Sequence, residues 1–128
     1  MKKSALKIAA AFLATAIASA PAVAAGDEAG GKDLFKKKCK TCHTTKANGK
    51  SGLGPNLHGV IGRQAGTLEN YKKYSDGLKG SGVVWDEAAL NKLMENPKAF
   101  VAGSKMKSGK IEDAGQRGDI IAYLNSLK

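Results

Sequence analysis

The segment Cys39-Lys40-Thr41-Cys42-His43 constrains this 128-residue chain more than any other. Its two thiols stand three positions apart, so a disulfide between them closes a tiny loop and stabilises a fold little by chain entropy. Their use is therefore chemical. A redox dithiol calls for a strand-turn-helix setting around the pair, which the flanking residues do not offer. A zinc site needs a second pair of ligands, and the chain has no further cysteine and only one other histidine, His58. Cys-x-x-Cys-His is instead the pattern of c-type haem attachment. Two thiols at this spacing at a helix end can each add to one vinyl group of a haem. The next residue, His43, is then held beneath the iron. The expectation is one covalently attached haem c on Cys39 and Cys42, its iron bound by His43.

Residues 1–25 read as a secretory signal peptide. Lys2, Lys3 and Lys7 give a positive start, Ile8 to Ala20 carries no charge, and Ala22, Ala24 and Ala25 suit a cleavage site. The apolar run is short for a membrane anchor, which takes about 20 residues. Cleavage leaves residues 26–128 as one small domain, expected in the periplasm with no segment that could span a membrane. Eighteen basic residues then face eleven acidic ones, a net charge of +7. Six aromatic residues remain once Phe12 has left. So small a domain buries a modest core, and a bulky apolar cofactor would complete it.

The mature chain reads as all-α with long loops. A helix is predicted from about Glu28 to Cys39, capped by Asp27, with Gly31, Leu34 and Phe35 on one face. Glycines at 49, 52, 54, 59, 62 and 66 make the following region loop-rich. A helical fragment is placed around Tyr71 to Leu78. A further helix is predicted from Glu87 to Glu95, capped by Asp86, with Ala89, Leu90, Leu93 and Met94 inward. Asn96 before Pro97 ends it. The last helix begins near Asp113, which has capping-box spacing to Gln116. Ile120, Ile121, Leu124 and Leu127 form its stripe, with Tyr123 at one edge.

A haem held through His43 has a second face, for which Met106, Met94 and His58 are candidates. Met94 lies on an apolar helix face, where a core role is the commoner one. His58 sits in a Gly-Pro loop and reads as a loop histidine. Met106 stands among Ser104, Lys105 and Lys107 with no packing reason to be there, and it is the preferred ligand. A thioether favours ferrous iron and raises the reduction potential. It also fills the last axial position, which points to electron transfer rather than catalysis.

Several separated motifs resemble those of class I cytochromes c. They are Gly31 with Phe35, the run Gly54-Pro55-Asn56-Leu57-His58-Gly59, Gly62-Arg63, Tyr74-Ser75-Asp76, Trp85, Asn96-Pro97-Lys98, Gly103-Ser104-Lys105-Met106 and Ile121-Ala122-Tyr123-Leu124. The resemblance covers residues 27–128. It implies the small cytochrome c fold, with N- and C-terminal helices crossing and a third helix and long loops wrapped around the haem. It also implies His43 and Met106 as iron ligands, and a hydrogen bond from His43 to the backbone carbonyl of Pro55. Arg63, Tyr74 and Trp85 match positions that bond a haem propionate; without the resemblance, Trp85 is simply the largest core residue. Leu93, Leu78, Ala102 and Ser108 depart from the family pattern, as does one extra residue near Tyr71 to Tyr74. These changes thin the hydrogen-bond network around Met106.

Lys36, Lys37, Lys38, Lys40, Lys46, Lys50, Lys98, Lys105, Lys107 and Lys110 fall in segments expected around the exposed haem edge. Individually they are a solvated surface; together they form a positive ring that steers the protein onto acidic partners. Export and the shortage of exposed aromatics argue against nucleic acid. The expectation is a monomeric one-electron carrier, not an enzyme. Its partners would be a cytochrome bc complex, an oxidase, a reaction centre or a periplasmic reductase. The alternative is a haem enzyme or ligand-binding sensor whose sixth iron ligand is labile.

Overall fold

Aspartate side chains start three of the helices in the computed structural model, which describes residues 26–128. The leader predicted over residues 1–25 lies outside the described residues. Asp27 accepts from the amides of Ala29 and Gly30 to begin α1, Glu28–Lys38. Asp86 accepts from Ala89 at the start of α3, Glu87–Glu95, and Asp113 from Gln116 at the start of α4, Ala114–Ser126. Each cap satisfies amides that have no partner inside the helix. The last turn of α1 carries Lys36, Lys37 and Lys38, which complement the negative end of the helix dipole.

The fragment expected over Tyr71 to Leu78 is shorter and shifted. Only α2, Asp76–Lys79, is helical, started by Ser75, whose hydroxyl accepts from the Leu78 amide. Tyr71 to Tyr74 run as irregular chain instead. Their two rings meet edge to face, with centroids 4.8 Å apart. That pairing, and a bond from the Tyr71 hydroxyl to the Leu53 carbonyl, hold the segment without helical turns. At the end of α3 the backbone leaves the helical region at Asn96, as Pro97 requires.

The described residues hold no β-strand, only an isolated antiparallel bridge between Gln64 and Val84. The frame is the crossing of α1 and α4. Gly31 faces the backbone carbonyl of Asp119 so closely that even a methyl group has no room. Close approach lets Phe35 and Tyr123 meet, centroids 5.6 Å apart and rings tilted by 58°. Asp119 also accepts from the Asp27 amide at 2.8 Å, tying the start of α1 to the middle of α4. Ile120, Ile121 and Leu124 of α4 and Leu90 and Met94 of α3 complete this side of the core. The helices thus form a rigid corner, and residues 39–75 and 96–113 are the loops that it supports. No helix among the described residues is long and apolar enough to cross a membrane.

Candidate haem site

The chain does not straighten where α1 ends. Amides of Cys42 and His43 both bond the Cys39 carbonyl, at 3.1 and 2.9 Å, so residues 39–43 form one further tight turn. Gly54 and Leu57 then bond the carbonyls of Cys42 and Thr44, each at 2.8 Å, which lays the Gly54-Pro55 loop along this turn. The consequence falls on His43. Its Nδ1 lies 2.9 Å from the Pro55 carbonyl and donates to it, since a carbonyl only accepts. Nε2 is left as a bare lone pair. Burial lowers the His43 pKa, with the Pro55 carbonyl pulling it partly back up. The ring is therefore neutral at neutral pH, the form that a metal requires. Gly54 closes the other side: a Cβ there would stand 2.5 Å from Cε1 of the ring.

Cys39 and Cys42 are half-buried and not joined to each other. Burial pushes the Cys39 thiol up to about 11; Cys42 adds to this and Lys38 opposes it. Dithiol redox centres depend on a thiolate of low pKa. Burial here does the reverse, which counts against that use of the pair.

The methionines separate as their sequence settings suggest. Met94 is 6% exposed in the core, and its carbonyl accepts from Ile111 at 2.8 Å. Met106 is half-buried in the loop between α3 and α4. Among the described residues no donor reaches its sulfur. Leu93 and Leu78 pack against the core as apolar side chains. His58 is a half-buried loop residue whose amide bonds the Asn56 side chain at 2.8 Å.

Backbone pairing brings Arg63 and Trp85 to one region, and Tyr74 lies close enough to Arg63 for each to feel the other's charge. The Trp85 amide bonds the Arg63 carbonyl at 2.9 Å, and the Gly62 amide bonds the Trp85 carbonyl at 2.7 Å. Trp85 stacks on Phe100, centroids 5.5 Å apart and planes within 23°. No group of the described residues accepts from its indole N–H. Arg63 places one arm on the Asn56 carbonyl at 2.8 Å. Burial lowers the Arg63 pKa while the neighbouring Tyr74 raises it, and burial raises that of Tyr74 while Arg63 lowers it. The guanidinium and the phenol thus lie within reach of each other's field.

Two residues of the site region carried no role in the sequence reading. Asn56, 5% exposed, donates to the carbonyls of Lys46 and Gly49 and accepts from His58, stapling the loop that presents Pro55. Arg117, 7% exposed, bonds the carbonyls of Ile111 and Glu112 and the side chain of Asn91, fixing the end of the Met106 loop on α3 and α4. Asn56 stood inside a quoted motif. Arg117 lay beside the apolar stripe of α4, where a basic residue signals only a solvated edge.

These residues fit a c-type haem: two unjoined thiols, an oriented neutral imidazole, a thioether without a donor, and an indole N–H without an acceptor. Comparison with known proteins agrees. The cytochrome c family model matches residues 28–128. A cytochrome c2 of Rhodomicrobium vannielii is 45% identical over 106 residues, covering 83% of each chain. A cytochrome c of Gibberella zeae is 42% identical over 102 residues, 80% of this chain and 95% of that protein. A cytochrome c-554 of Methylosinus trichosporium is 38% identical over 127 residues, 99% of this chain and 95% of that one. The chain belongs to the cytochrome c family. It is an electron carrier rather than an enzyme, and it binds one covalently attached haem c with its iron.

Proposed function

We propose that Cys39 and Cys42 hold the haem as thioethers, that His43 and Met106 bind its iron from opposite faces, and that the protein shuttles single electrons between larger redox complexes in the periplasm. When bound, the haem would supply an iron able to take up and give back a single electron. The observation that carries the reading is the His43–Pro55 hydrogen bond, which fixes the tautomer and leaves Nε2 as the donor atom. Pro55 orients the ring and strengthens it as a ligand. Met106 would supply a thioether to the iron, a ligand that favours the ferrous state. Arg63, Tyr74 and Trp85 hold a propionate. Removal of residues 1–25 delivers the haem domain, residues 26–128, as a monomer outside the cytoplasmic membrane.

The ten lysines of the expected ring are all exposed. Lys36 and Lys110 pair with Asp33 at 3.5 Å and Glu112 at 3.3 Å. The other eight make no ion pair among the described residues, so their charge faces outward. Such a surface suits acidic partners, of the kind offered by a cytochrome bc complex, an oxidase, a reaction centre or a periplasmic reductase.

The test is the absorption spectrum of protein exported and matured in a host able to attach haem. Sharp c-type bands on reduction, a weak near-infrared methionine–iron band when oxidised, and no carbon monoxide binding are expected. Haem bands without the methionine feature, together with carbon monoxide binding, would replace the carrier reading with that of a ligand-binding sensor. Absence of haem would overturn the attachment site.

A further inference from the structure

Met106 has three rotatable side-chain bonds, so its sulfur does not find one orientation unaided. Either a donor holds the sulfur or packing holds the methyl beyond it. Among the described residues no donor does the first, and Leu93 and Leu78, which depart from the family pattern, are apolar side chains packed on the core. Packing remains, and it comes from Gly109. A Cβ on Gly109 would stand 2.6 Å from the Met106 Cε, closer than carbon atoms approach without bonding. Gly109 also has φ +92°, a conformation that residues with a side chain rarely adopt. The backbone therefore selects glycine, and a Cβ there would oblige the Met106 methyl to shift. The loop is anchored on its far side by Ile111, whose amide bonds the Met94 carbonyl and whose own carbonyl takes Arg117, so Gly109 cannot simply move away.

We propose that Gly109 is a positioning residue for the iron–sulfur bond: its bare Cα seats the Met106 methyl and thereby aims the sulfur. The proposal rests on Met106 as the ligand. Shape takes the place that a hydrogen bond to sulfur would have.

The experiment compares wild type, Gly109→Ala, Gly103→Ala and Met106→Ala as haem-attached proteins. The readouts are the near-infrared band, the reduction potential and the binding of imidazole to the ferric form. Gly103 shares the loop and has φ +68°, but a Cβ there meets nothing within 4 Å, so its variant reports backbone strain alone. Gly109→Ala is expected to lose most of the band, lower the potential and bind imidazole about tenfold more tightly than wild type. Gly103→Ala is expected to stay close to wild type in all three. Equal effects from both glycine variants, or none from Gly109→Ala, overturn the proposal while Met106 stays the ligand. A wild-type band that is missing, or that survives in Met106→Ala, removes the ligand reading and the proposal with it. Should Gly109→Ala fail to mature, a nuclear Overhauser cross-peak between the Met106 methyl and the Gly109 α-protons in reduced wild type decides. Its presence supports the seat, and its absence overturns it.

Discussion

Pro55 holds the ring of His43 through a 2.9 Å hydrogen bond to Nδ1, while the residue before it, Gly54, leaves no space for a side chain under the same ring. One dipeptide thus sets both the rotation and the depth of the imidazole. Gly54→Ala must displace either the ring or the backbone that carries Pro55. Overpacking of this kind costs about 1–3 kcal/mol. The haem-attached variant should unfold at lower guanidinium concentration, followed by haem absorbance and by helical circular dichroism. An unchanged midpoint would show that the ring moves freely and that Gly54 does not fix it.

Two glycines at the crossing of α1 and α4 should respond with opposite signs. Gly31 faces the Asp119 backbone with no room for a methyl, and neither helix can yield without opening the Phe35–Tyr123 contact. Gly118, in α4, has nothing within 4 Å of a built Cβ. Gly31→Ala should cost about 1–3 kcal/mol or more by overpacking. Gly118→Ala should gain about 0.5–1 kcal/mol, because alanine loses less backbone freedom in a helix. Denaturant titrations of the two variants check this, and equal signs would contradict the packing described.

The helices and the core were legible because local signals and burial agree there. Asp27, Asp86 and Asp113 act as the caps their positions suggest, and the stripes on α3 and α4 face inward. The site was legible in its ligand candidates, whose chemistry shows in residue type and spacing. It was not legible in what holds them. Asn56 staples its loop through carbonyls of residues 46 and 49, and Arg117 secures residues 111 and 112. Such bonds to backbone carbonyls leave no periodic pattern, because a carbonyl is offered by every residue alike. The short α2 was misplaced for a related reason. Tyr71 and Tyr74 are spaced for a helix face, yet their edge-to-face contact and the Leu53 carbonyl fix them in irregular chain.

Charge on the lysine ring should appear in rates more than in affinities. Exposed charges are screened beyond a Debye length of about 8 Å at physiological salt. Electron exchange with an acidic partner protein should therefore slow by about tenfold or more between low and physiological ionic strength. Lys105→Glu with Lys107→Glu should flatten that dependence, while Lys72→Glu, on the separate 70–74 segment, should do so less. Stopped-flow mixing at several salt concentrations checks this. Rates that ignore salt, or that rise with it, would remove the electrostatic role of the ring.

Trp85 poses a sharper question, because packing and polar readings of it predict different losses. The indole stacks on Phe100 and is 8% exposed, so its bulk belongs to the core. Its N–H has no acceptor among the described residues and is not sealed in by them, so it is open to a partner from outside the chain. Trp85→Phe keeps an aromatic ring on Phe100 and deletes the donor. If the N–H bonds a haem propionate, the variant should lose about 1.5–3 kcal/mol, the range for a hydrogen bond to a charged group. Its reduction potential should also move, since a propionate charge left unbonded changes the field at the iron. If Trp85 only fills space, stability should fall by less and the potential should stay where it is. Redox titration of the haem-attached Trp85→Phe protein beside wild type separates the two, and a shifted potential is the expected outcome.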